Sequence, residues 1–323
     1  RSTPKPSSAA SDVYKRQAQW MAAVYAGLFA RAQDSHFFEP LIAKNYTISA
    51  DGKDITVDIN PNAKFSDGNP VTAEDVKYSY QLYMTPFRYY VNHYETLCKF
   101  FENNDSIEIV DQDTLIFHLK QPYAFALGLL SYGIIEKSKV EAALVNGYGI
   151  FGEVPLTGNV QDALVTSCGP FKLTGYDAAN SIVTLEPNPH YVGDTPKLQT
   201  LILTFISGKD TAIAELAAGN VDIVDSQYSP LLSDYEGVTG VEAILVKDPG
   251  TQEMAINMKH PYLGTGELTP VGTPEAAKWI RQAISHATPR QTIVDQILQG
   301  LGAPGVTPMP DASVGFDDTL QAY

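Results

Sequence analysis

Histidine and cysteine, the residues that most often bind metals or act as nucleophiles, are sparse and widely spaced in this sequence. No two histidines form an H-x-x-H, H-x-x-x-H or H-E-x-x-H pair, which argues against a helix-borne metal site; the six are His36, His93, His118, His190, His260 and His286. No G-x-S-x-G elbow occurs, and Cys168 lies in no nucleophile signature. The patterns therefore predict no catalytic residue, no metal site and no cofactor.

Two further motifs have features of cofactor or redox sites. Gly300–Gly305 has the letters G-x-G-x-x-G, but it follows a predicted helix and leads into prolines, whereas a dinucleotide site must follow a strand and open a helix. We interpret it as a loop. Cys98 and Cys168 lack C-x-x-C spacing. One disulfide and two buried thiols both remain open, and the thiols are slightly favoured.

The sequence is rich in aromatic side chains, with 18 Tyr, 13 Phe and 2 Trp. Several cluster in predicted loops, at Phe87–Tyr90 with Tyr94, at Ser131–Gly133 and at Asp225–Tyr228. Tyrosine offers a large flat surface and a hydroxyl at low entropic cost, so loop tyrosines are suited to line a site for an organic ligand. Burial in the core is an equally open interpretation of each one.

The segments that position these loops begin with a helix and a hairpin. Helical spacing predicts the helix from Trp20, Ala23, Val24, Gly27 and Leu28. The β-rich runs Tyr46–Ser49 and Ile55–Ile59 flank Asp51-Gly52, which predicts an antiparallel hairpin because Gly tolerates positive φ.

The stretch FSDGNPVTAEDVKYSY, residues 65–80, predicts a turn followed by a capped helix. Thr72 is a good N-cap, and Asp75, three positions on, can reach back to it. Val76, Tyr80 and Tyr83 then share one face at i, i+4 and i+7, and Pro86 ends the helix. An ordinary packed surface helix explains all of these features.

The rest of the chain reads as alternating strands and helices. We predict a hairpin at 107–119 turned at Asp111–Asp113, a helical stretch at 122–145, two strands joined across 177–180, a strand at 201–205, a helix at 210–218, strands at 221–224 and 250–257, and a helical region at 273–298 divided by Pro289. The strand, helix and strand from 201 to 224 predict a right-handed crossover in a partly parallel sheet.

Composition limits the classes of function that remain. At 323 residues and 44% hydrophobic, the chain is long enough for one large domain or two ordinary ones. Its net charge of −15 disfavours nucleic acid as a partner. The longest apolar runs, such as Phe125–Leu130, are far too short to span a bilayer. Residues 1–16 are interpreted as a linker, a tag or an assembly artefact.

The sequence resembles the family 5 extracytoplasmic solute-binding proteins, the peptide, nickel and oligosaccharide receptors of ABC importers. KFSDGNPVTAEDVKYSY, residues 64–80, is similar to the signature region of that family. Further segments occur in family order: VYAGLF (24–29), EPLIAKNYTISADGKDITVDI (39–59), VDQDTLIFHLKQPY (110–123), CGPFKL (168–173), VTLEPNPHYVGDTPKL (183–198), AELAAGNVDI (214–223) and IRQAISHATPRQTIVDQILQGLGAPGVTPMP (280–310). The family usually has Thr where Cys168 stands and Asp-Arg where Pro289-Arg290 stands.

The resemblance implies an α/β, two-lobed fold of the type II periplasmic-binding-protein kind, with an inserted subdomain and an incomplete second lobe. Lobe I would comprise residues 17–34 and 165–257, the inserted subdomain residues 35–164, and the start of lobe II residues 258–323. The first family strand would precede Gln17 and the second lobe would continue past Tyr323. We therefore expect exposed apolar surface in 258–323, and weak or no ligand binding by residues 1–323 alone.

The resemblance also implies partners and a binding site. It implies an extracytoplasmic, monomeric receptor that encloses a small peptide or similar polar solute and delivers it to an ABC permease in the membrane. The family lines its cleft from three regions, which contain Tyr89, Tyr90, Tyr94, Tyr132, Ser226, Gln227 and Tyr228 here. The alternatives are a sensor domain of a regulator with the same fold and, third, a secreted hydrolase, for which no nucleophile and base can be named.

Overall fold

The computed structural model describes residues 23–32, 37–85, 91–145, 166–177, 179–224, 228, 231–244, 250–307, 309–310, 316–317 and 319–320, except for the side chains of 91–93 and 143–145. The chain divides into two compact units, residues 1–205 and 206–323. The predicted linker at 1–16 lies outside the described residues. The division into lobe I, inserted subdomain and lobe II stays a prediction.

Unit 1 contains three antiparallel sheets in its described part. The first pairs β1 (Phe29–Arg31) with β2 (Phe38–Pro40). The second has the order β3-β4-β6-β5, formed by Ala43–Ile48, Asp54–Ile59, Thr114–His118 and Ile107–Ile109. The third has the order β7-β8-β9, formed by Phe171–Asp177, Ile182–Pro187 and Leu201–Thr204.

In the described part of unit 1, four helices accompany these sheets, apart from the helical residues Ala23 and Val24. They are α1 (Ala73–Tyr83), α2 (Val91–Phe100), α3 (Ala126–Leu129) and α4 (Lys137–Val145), with a 3₁₀ turn at Asn104–Ser106. The prediction of a single helical stretch at 122–145 is wrong, because the non-helical residues 130–136 separate α3 from α4. Those residues carry the Ser131–Gly133 loop.

The predicted hairpins are confirmed where turn chemistry and strand alternation agree. β3 and β4 pair antiparallel around Asp51-Gly52, and Gly52 has the positive φ of 72° that the turn requires. In β4, the side chains alternate between half-buried and buried, so Ile55, Val57 and Ile59 face the core. β5 with β6, and β7 with β8, also form the predicted antiparallel pairs.

Helix α1 begins where the sequence predicts. Thr72 is its N-cap: the Thr72 hydroxyl accepts from the Asp75 amide, and the Asp75 carboxylate accepts from the Thr72 amide at 3.0 Å. Val76, Tyr80 and Tyr83 are buried, as their shared face predicts. The last helical residue is Tyr83, so the helix ends before Pro86, which lies outside the described residues.

Two apolar cores are found among the described residues of unit 1. The larger one joins α1, α3 and the four-stranded sheet, and its fully buried side chains include Tyr80, Phe101, Phe117 and Leu130. The smaller one packs Val24 against Leu173, Val183 and Leu185 of β7 and β8. Residues close to the start of the chain therefore contact the β7-β8-β9 sheet.

The first predicted helix extends too far along the sequence. Ala23 and Val24 are helical, but Gly27 and Leu28 are not, and Phe29 already begins β1. Gly27 lies so close to Ser131 that a Cβ there would be 2.4 Å from the Ser131 carbonyl carbon. This long-range contact fixes the backbone, and the spacing of apolar residues does not reveal it.

Unit 2 contains α5 (Lys209–Ala217), a 3₁₀ turn at Leu232–Tyr235, α6 (Pro274–Ala287), α7 (Arg290–Thr292) and a π-helical turn at Ile293–Ile297. Thr273 caps α6 and Pro274 opens it, which confirms the predicted start of the helical region. Exposed apolar side chains occur in 258–323 as expected, among them Trp279 at 56% and Val271 at 62%.

The strands predicted at 221–224 and 250–257 are wrong. Neither segment pairs in a ladder with another described residue, and Ile223 is 85% exposed. An extended segment becomes a strand only when a neighbour satisfies its amides and carbonyls, and alternation alone does not supply that neighbour. The predicted parallel crossover is wrong as well, since every described strand pair is antiparallel.

Among the helices of the described residues, none has both the length and the apolar character that crossing a bilayer demands. Cys98 and Cys168 are both free thiols, the first half-buried and the second buried. The Gly300–Gly305 run is irregular, as predicted for a loop.

Candidate functional site

Three of the seven predicted ligand contacts lie in the described part of the structure. Tyr132 is in the Ser131–Gly133 loop of unit 1, Tyr94 is on α2 of the same unit, and Tyr228 is in unit 2; all three are half-buried. The loop position predicted for Tyr94 is wrong, because residue 94 lies within the continuous helix Val91–Phe100. The other four lie outside the described residues: Tyr89, Tyr90, Ser226 and Gln227. Among the predicted contacts, the surroundings of Tyr132 are therefore described in most detail.

Tyr132 belongs to an aromatic cluster with two tyrosines of α1. Its ring centroid lies 5.6 Å from that of Tyr83 and 6.4 Å from that of Tyr80. Desolvation by burial, with Tyr123 as a smaller cause, raises the pKa of Tyr132 above its usual value. Its side chain is a protonated phenol with a flat aromatic face, the two features by which tyrosines bind organic solutes.

The hydroxyl groups of the same two α1 tyrosines hold the backbone on both sides of Tyr132. The Tyr80 hydroxyl donates to the carbonyl of Leu129 at 3.0 Å, and the Tyr83 hydroxyl donates to the carbonyl of Gly133 at 2.7 Å. Both side chains are buried, so these bonds are shielded from competing water.

On its other side, the loop packs against the segment that leads into β1. The Ile134 amide donates to the Ala26 carbonyl at 2.8 Å, and the Phe29 amide donates to the Leu130 carbonyl at 3.3 Å. A Cβ at Gly133 would lie 2.6 Å from the Cβ of Tyr25. The loop therefore fits closely between this segment and α1.

The signature turn before α1 anchors the residues that follow the loop. Asp75 is buried, and its Oδ1 accepts from the Lys137 amide at 2.9 Å. Glu136 is also buried and accepts from Asn69 Nδ2 at 3.0 Å. Lys139 forms an ion pair with Asp67 at 3.0 Å. The start of α4 is thus fixed to the turn and the first helical residues of the signature stretch, residues 64–80.

Burial of the Glu136 carboxylate is compensated by neighbouring hydroxyl groups as well as by Asn69. Ser138 Oγ donates to Oε1 at 2.9 Å, and Thr166 Oγ1 contacts Oε2. A buried carboxylate is tolerated when its oxygens are hydrogen-bonded in this way. The arrangement is that of a structural clamp, and no described group of His, Cys, Asp and Glu is arranged to hold a metal ion.

In unit 2, Tyr228 is held by its hydroxyl, which donates to the Ile206 carbonyl at 2.6 Å. The nearby chain is ordered by Asp234, which accepts from Lys209 Nζ at 2.7 Å and from the Leu231 amide at 2.7 Å. The hydrogen bond to Lys209 is the main reason that the pKa of Asp234 is lowered. Tyr228 is therefore a fixed residue in its own unit.

A surface pocket of about 710 Å³ lies elsewhere on unit 1. Its charged lining residues carry both signs, Arg31 and Lys197 against Glu39 and Asp194, around the aromatic ring of Tyr191. Of the predicted ligand contacts that the structure describes, Tyr94, Tyr132 and Tyr228, none is among its lining residues. Its size would suit a small molecule.

Sequence reasoning missed Tyr83 as part of the candidate site. Its position at i+7 from Val76 indicates a core-facing residue, which it is, but the same side chain contacts Tyr132 and bonds to Gly133. The feature of the sequence that could have indicated this contact is the Tyr83 hydroxyl, because a tyrosine on a buried helical face needs a hydrogen-bond partner for its polar end. That requirement does not say which carbonyl is the partner.

Comparison with known proteins places these features in a family. A model of the bacterial extracellular solute-binding proteins, family 5 (middle segment), matches residues 38–323. The probable D,D-dipeptide-binding periplasmic protein DdpA of Escherichia coli is 27% identical over 286 residues, covering 87% of this chain and 50% of the relative. The oligopeptide-binding protein OppA of Bacillus subtilis is 26% identical over 293 residues, covering 87% and 50%. The chain thus spans about half the length of these relatives.

Solved structures agree on the fold. The periplasmic binding protein DppA of Helicobacter pylori, in complex with the peptide STSA, matches with a TM-score of 0.69 and 20% identity, covering 94% of this chain and 58% of that one. NikZ of Campylobacter jejuni, in complex with Ni(L-His), matches with a TM-score of 0.67 and 21% identity, covering 88% and 52%. The fold is the α/β fold of the type II periplasmic binding proteins.

Proposed function

The chain belongs to the family 5 bacterial extracellular solute-binding proteins, and on that premise we propose that it is the solute-binding component of an ABC importer. The observation that carries the proposal is the family match over residues 38–323. In this role the protein works outside the cytoplasm as a monomer, binds its solute between two lobes and delivers it to a permease. The family is one of binding proteins, so no chemical step is proposed.

We propose a short peptide or a similar small polar solute as the ligand. Two relatives support this class by name, one as a D,D-dipeptide-binding protein and one as an oligopeptide-binding protein. The Tyr132 loop supports it by chemistry, because a protonated phenol beside other aromatic rings can stack on side chains and hydrogen-bond to peptide groups.

The proposed contacts are the seven residues indicated by the sequence. In unit 1 they are Tyr89, Tyr90, Tyr94 and Tyr132. In unit 2 they are Ser226, Gln227 and Tyr228. Tyr132 is the strongest of them on structural grounds, since its loop is held by hydrogen bonds from α1 and so needs little ordering when a solute arrives.

Isothermal titration calorimetry tests the proposal. The natural gene product that contains this sequence is titrated with di-, tri- and tetra-alanine, with a mixed peptide pool and with an oligosaccharide pool. We expect saturable binding of peptides at one site. Binding of oligosaccharides alone would contradict the peptide class, and turnover of a bound solute would contradict a binding role.

A matched pair of variants tests the site. Tyr132→Ala should weaken peptide binding at least tenfold, because it removes a ring and a hydroxyl from the proposed contact surface. Tyr46→Ala is the control, since Tyr46 is an exposed tyrosine on β3 of the same unit. Equal affinities for the two variants would rule out Tyr132 as a contact.

A further inference from the structure

Four side chains on one face of α1 hydrogen-bond to the main chain around the Tyr132 loop. Asp75 Oδ1 accepts from the Lys137 amide at 2.9 Å, and Ser79 Oγ accepts from the Ile135 amide at 2.9 Å. The Tyr80 and Tyr83 hydroxyls donate to the carbonyls of Leu129 and Gly133 at 3.0 and 2.7 Å. Residues 129–137 are thus held at four points by one helix.

The spacing of these four residues explains why a single helix can make all four bonds. Positions i, i+4, i+5 and i+8 fall within an arc of roughly 140° at about 100° per residue. This face packs into the protein interior, and the ends of its side chains are polar. Ser79 and Tyr80 are fully buried, and Asp75 and Tyr83 are nearly so. A buried donor or acceptor that loses its partner is costly, so these bonds specify one loop conformation.

The bond from Tyr83 is the one closest to the proposed ligand contact. It ends on Gly133, the residue that follows Tyr132, and the ring of Tyr83 packs on the ring of Tyr132 at 5.6 Å. Tyr83 itself is buried, and its hydroxyl is directed at the loop. It therefore acts on a solute through the loop and not by contact.

We propose that Tyr83 is a positioning residue: its hydroxyl sets the Ser131–Gly133 backbone and thereby the affinity that Tyr132 contributes. The inference rests on the proposed solute-binding function. It assigns the helix of the signature stretch a part in recognition, since α1 holds the loop in its binding geometry before a solute arrives. Preorganisation of this kind lowers the ordering cost of binding.

Tyr83→Phe tests the inference because it removes the hydroxyl and keeps the ring that packs on Tyr132. Tyr46→Phe is the matched control, which removes the hydroxyl of an exposed tyrosine of the same unit. In the natural gene product, amide hydrogen exchange of residues 130–137 is followed by mass spectrometry without ligand. Affinity is then measured by calorimetry for whichever of di-, tri- and tetra-alanine binds the wild type most tightly, and melting temperature is recorded for each variant.

In the Tyr83→Phe variant we expect the amides of residues 130–137 to exchange at least tenfold faster than in the control. We expect this variant to bind the peptide about 3- to 10-fold more weakly, the loss expected for one hydrogen bond. Unchanged exchange in 130–137, or faster exchange with unchanged affinity, overturns the positioning role. A lower melting temperature with faster exchange spread evenly over unit 1 would show a merely structural role and also overturns it. Absence of peptide binding by the wild type instead refutes the proposed peptide ligand, and the exchange result distinguishes the two failures.

Discussion

Replacing Gly27 with alanine should force the Tyr132 loop out of place. A Cβ at residue 27 would lie 2.4 Å from the carbonyl carbon and oxygen of Ser131 and 2.7 Å from its Cα. All three are backbone atoms, so no side-chain rotation can relieve the contact. Gly305→Ala is the matched control, because its added methyl would meet no described atom outside its chain neighbours closer than 3.8 Å.

The cost follows from the contacts that must change. Moving the loop by about 1 Å to restore a normal separation is an overpacking effect of about 1–3 kcal/mol. The same movement weakens the hydrogen bonds of Phe29 to Leu130 and of Ile134 to Ala26, each with a net value of about 1 kcal/mol. The reduced freedom of the unfolded chain offsets about 0.4–1 kcal/mol. We expect a net loss of about 2 kcal/mol, or a melting temperature lower by about 4–8 °C.

Two measurements together check this prediction. Thermal unfolding followed by circular dichroism gives the melting temperature, and amide exchange read peptide by peptide shows whether the effect begins in residues 23–29 and 129–135. Because the chain has two compact units, the exchange data keep a local loss in unit 1 separate from unfolding of unit 2. A Gly27→Ala protein within about 0.5 kcal/mol of Gly305→Ala, the range of a neutral surface change, would refute the close approach of Gly27 to the loop.

Two further predictions concern titrating groups. A thiol reagent at pH 8 should modify Cys98 in the native protein and Cys168 only after denaturation, because burial raises the pKa of Cys168 to about 12; equal native rates would contradict this. His118 bonds to Asp54 at 2.9 Å and to Glu108 at 3.1 Å, and these bonds raise the pKa of His118. The stabilisation of the folded protein by this group is therefore fully present below about pH 6.5 and is lost as pH rises through the folded-state pKa. His118→Gln should therefore lower the free energy of unfolding by a few tenths of a kcal/mol more at pH 5.5 than at pH 8.5, a small effect because the site is 39% exposed, and the reverse order would refute it.

Elements whose causes are local in sequence could be predicted from it. The Asp51-Gly52 turn, the Thr72 cap and the Thr273-Pro274 helix start each depend on residues within a few positions of one another, and each is found as expected. Elements that depend on distant partners could not. The strands expected at 221–224 and 250–257 have the right alternation, but no described partner pairs with them.

The candidate site follows the same division. Tyr132 could be selected because the aromatic cluster and the family resemblance both point to its loop, whereas the role of Tyr83 could not. The hydrogen bond from Tyr83 joins residues 50 positions apart, and only the packing of α1 against residues 129–137 determines which carbonyl it reaches. Gly27 is a similar case, since its neighbour Ser131 is more than a hundred positions away.

The signature stretch gains a physical explanation from these contacts. Asp67 pairs with Lys139, Asn69 bonds to Glu136, and Asp75 accepts from the Lys137 amide, so the turn and cap are tied to the segment that follows the Tyr132 loop. A motif used in this way identifies a fold without identifying a ligand, because its side chains bond to the segment that follows the loop and not to the residues proposed to contact the solute. On this view ligand class is set in the loops that α1 supports, and substitutions in residues 67–75 should change how firmly a solute is held more than which solute is chosen.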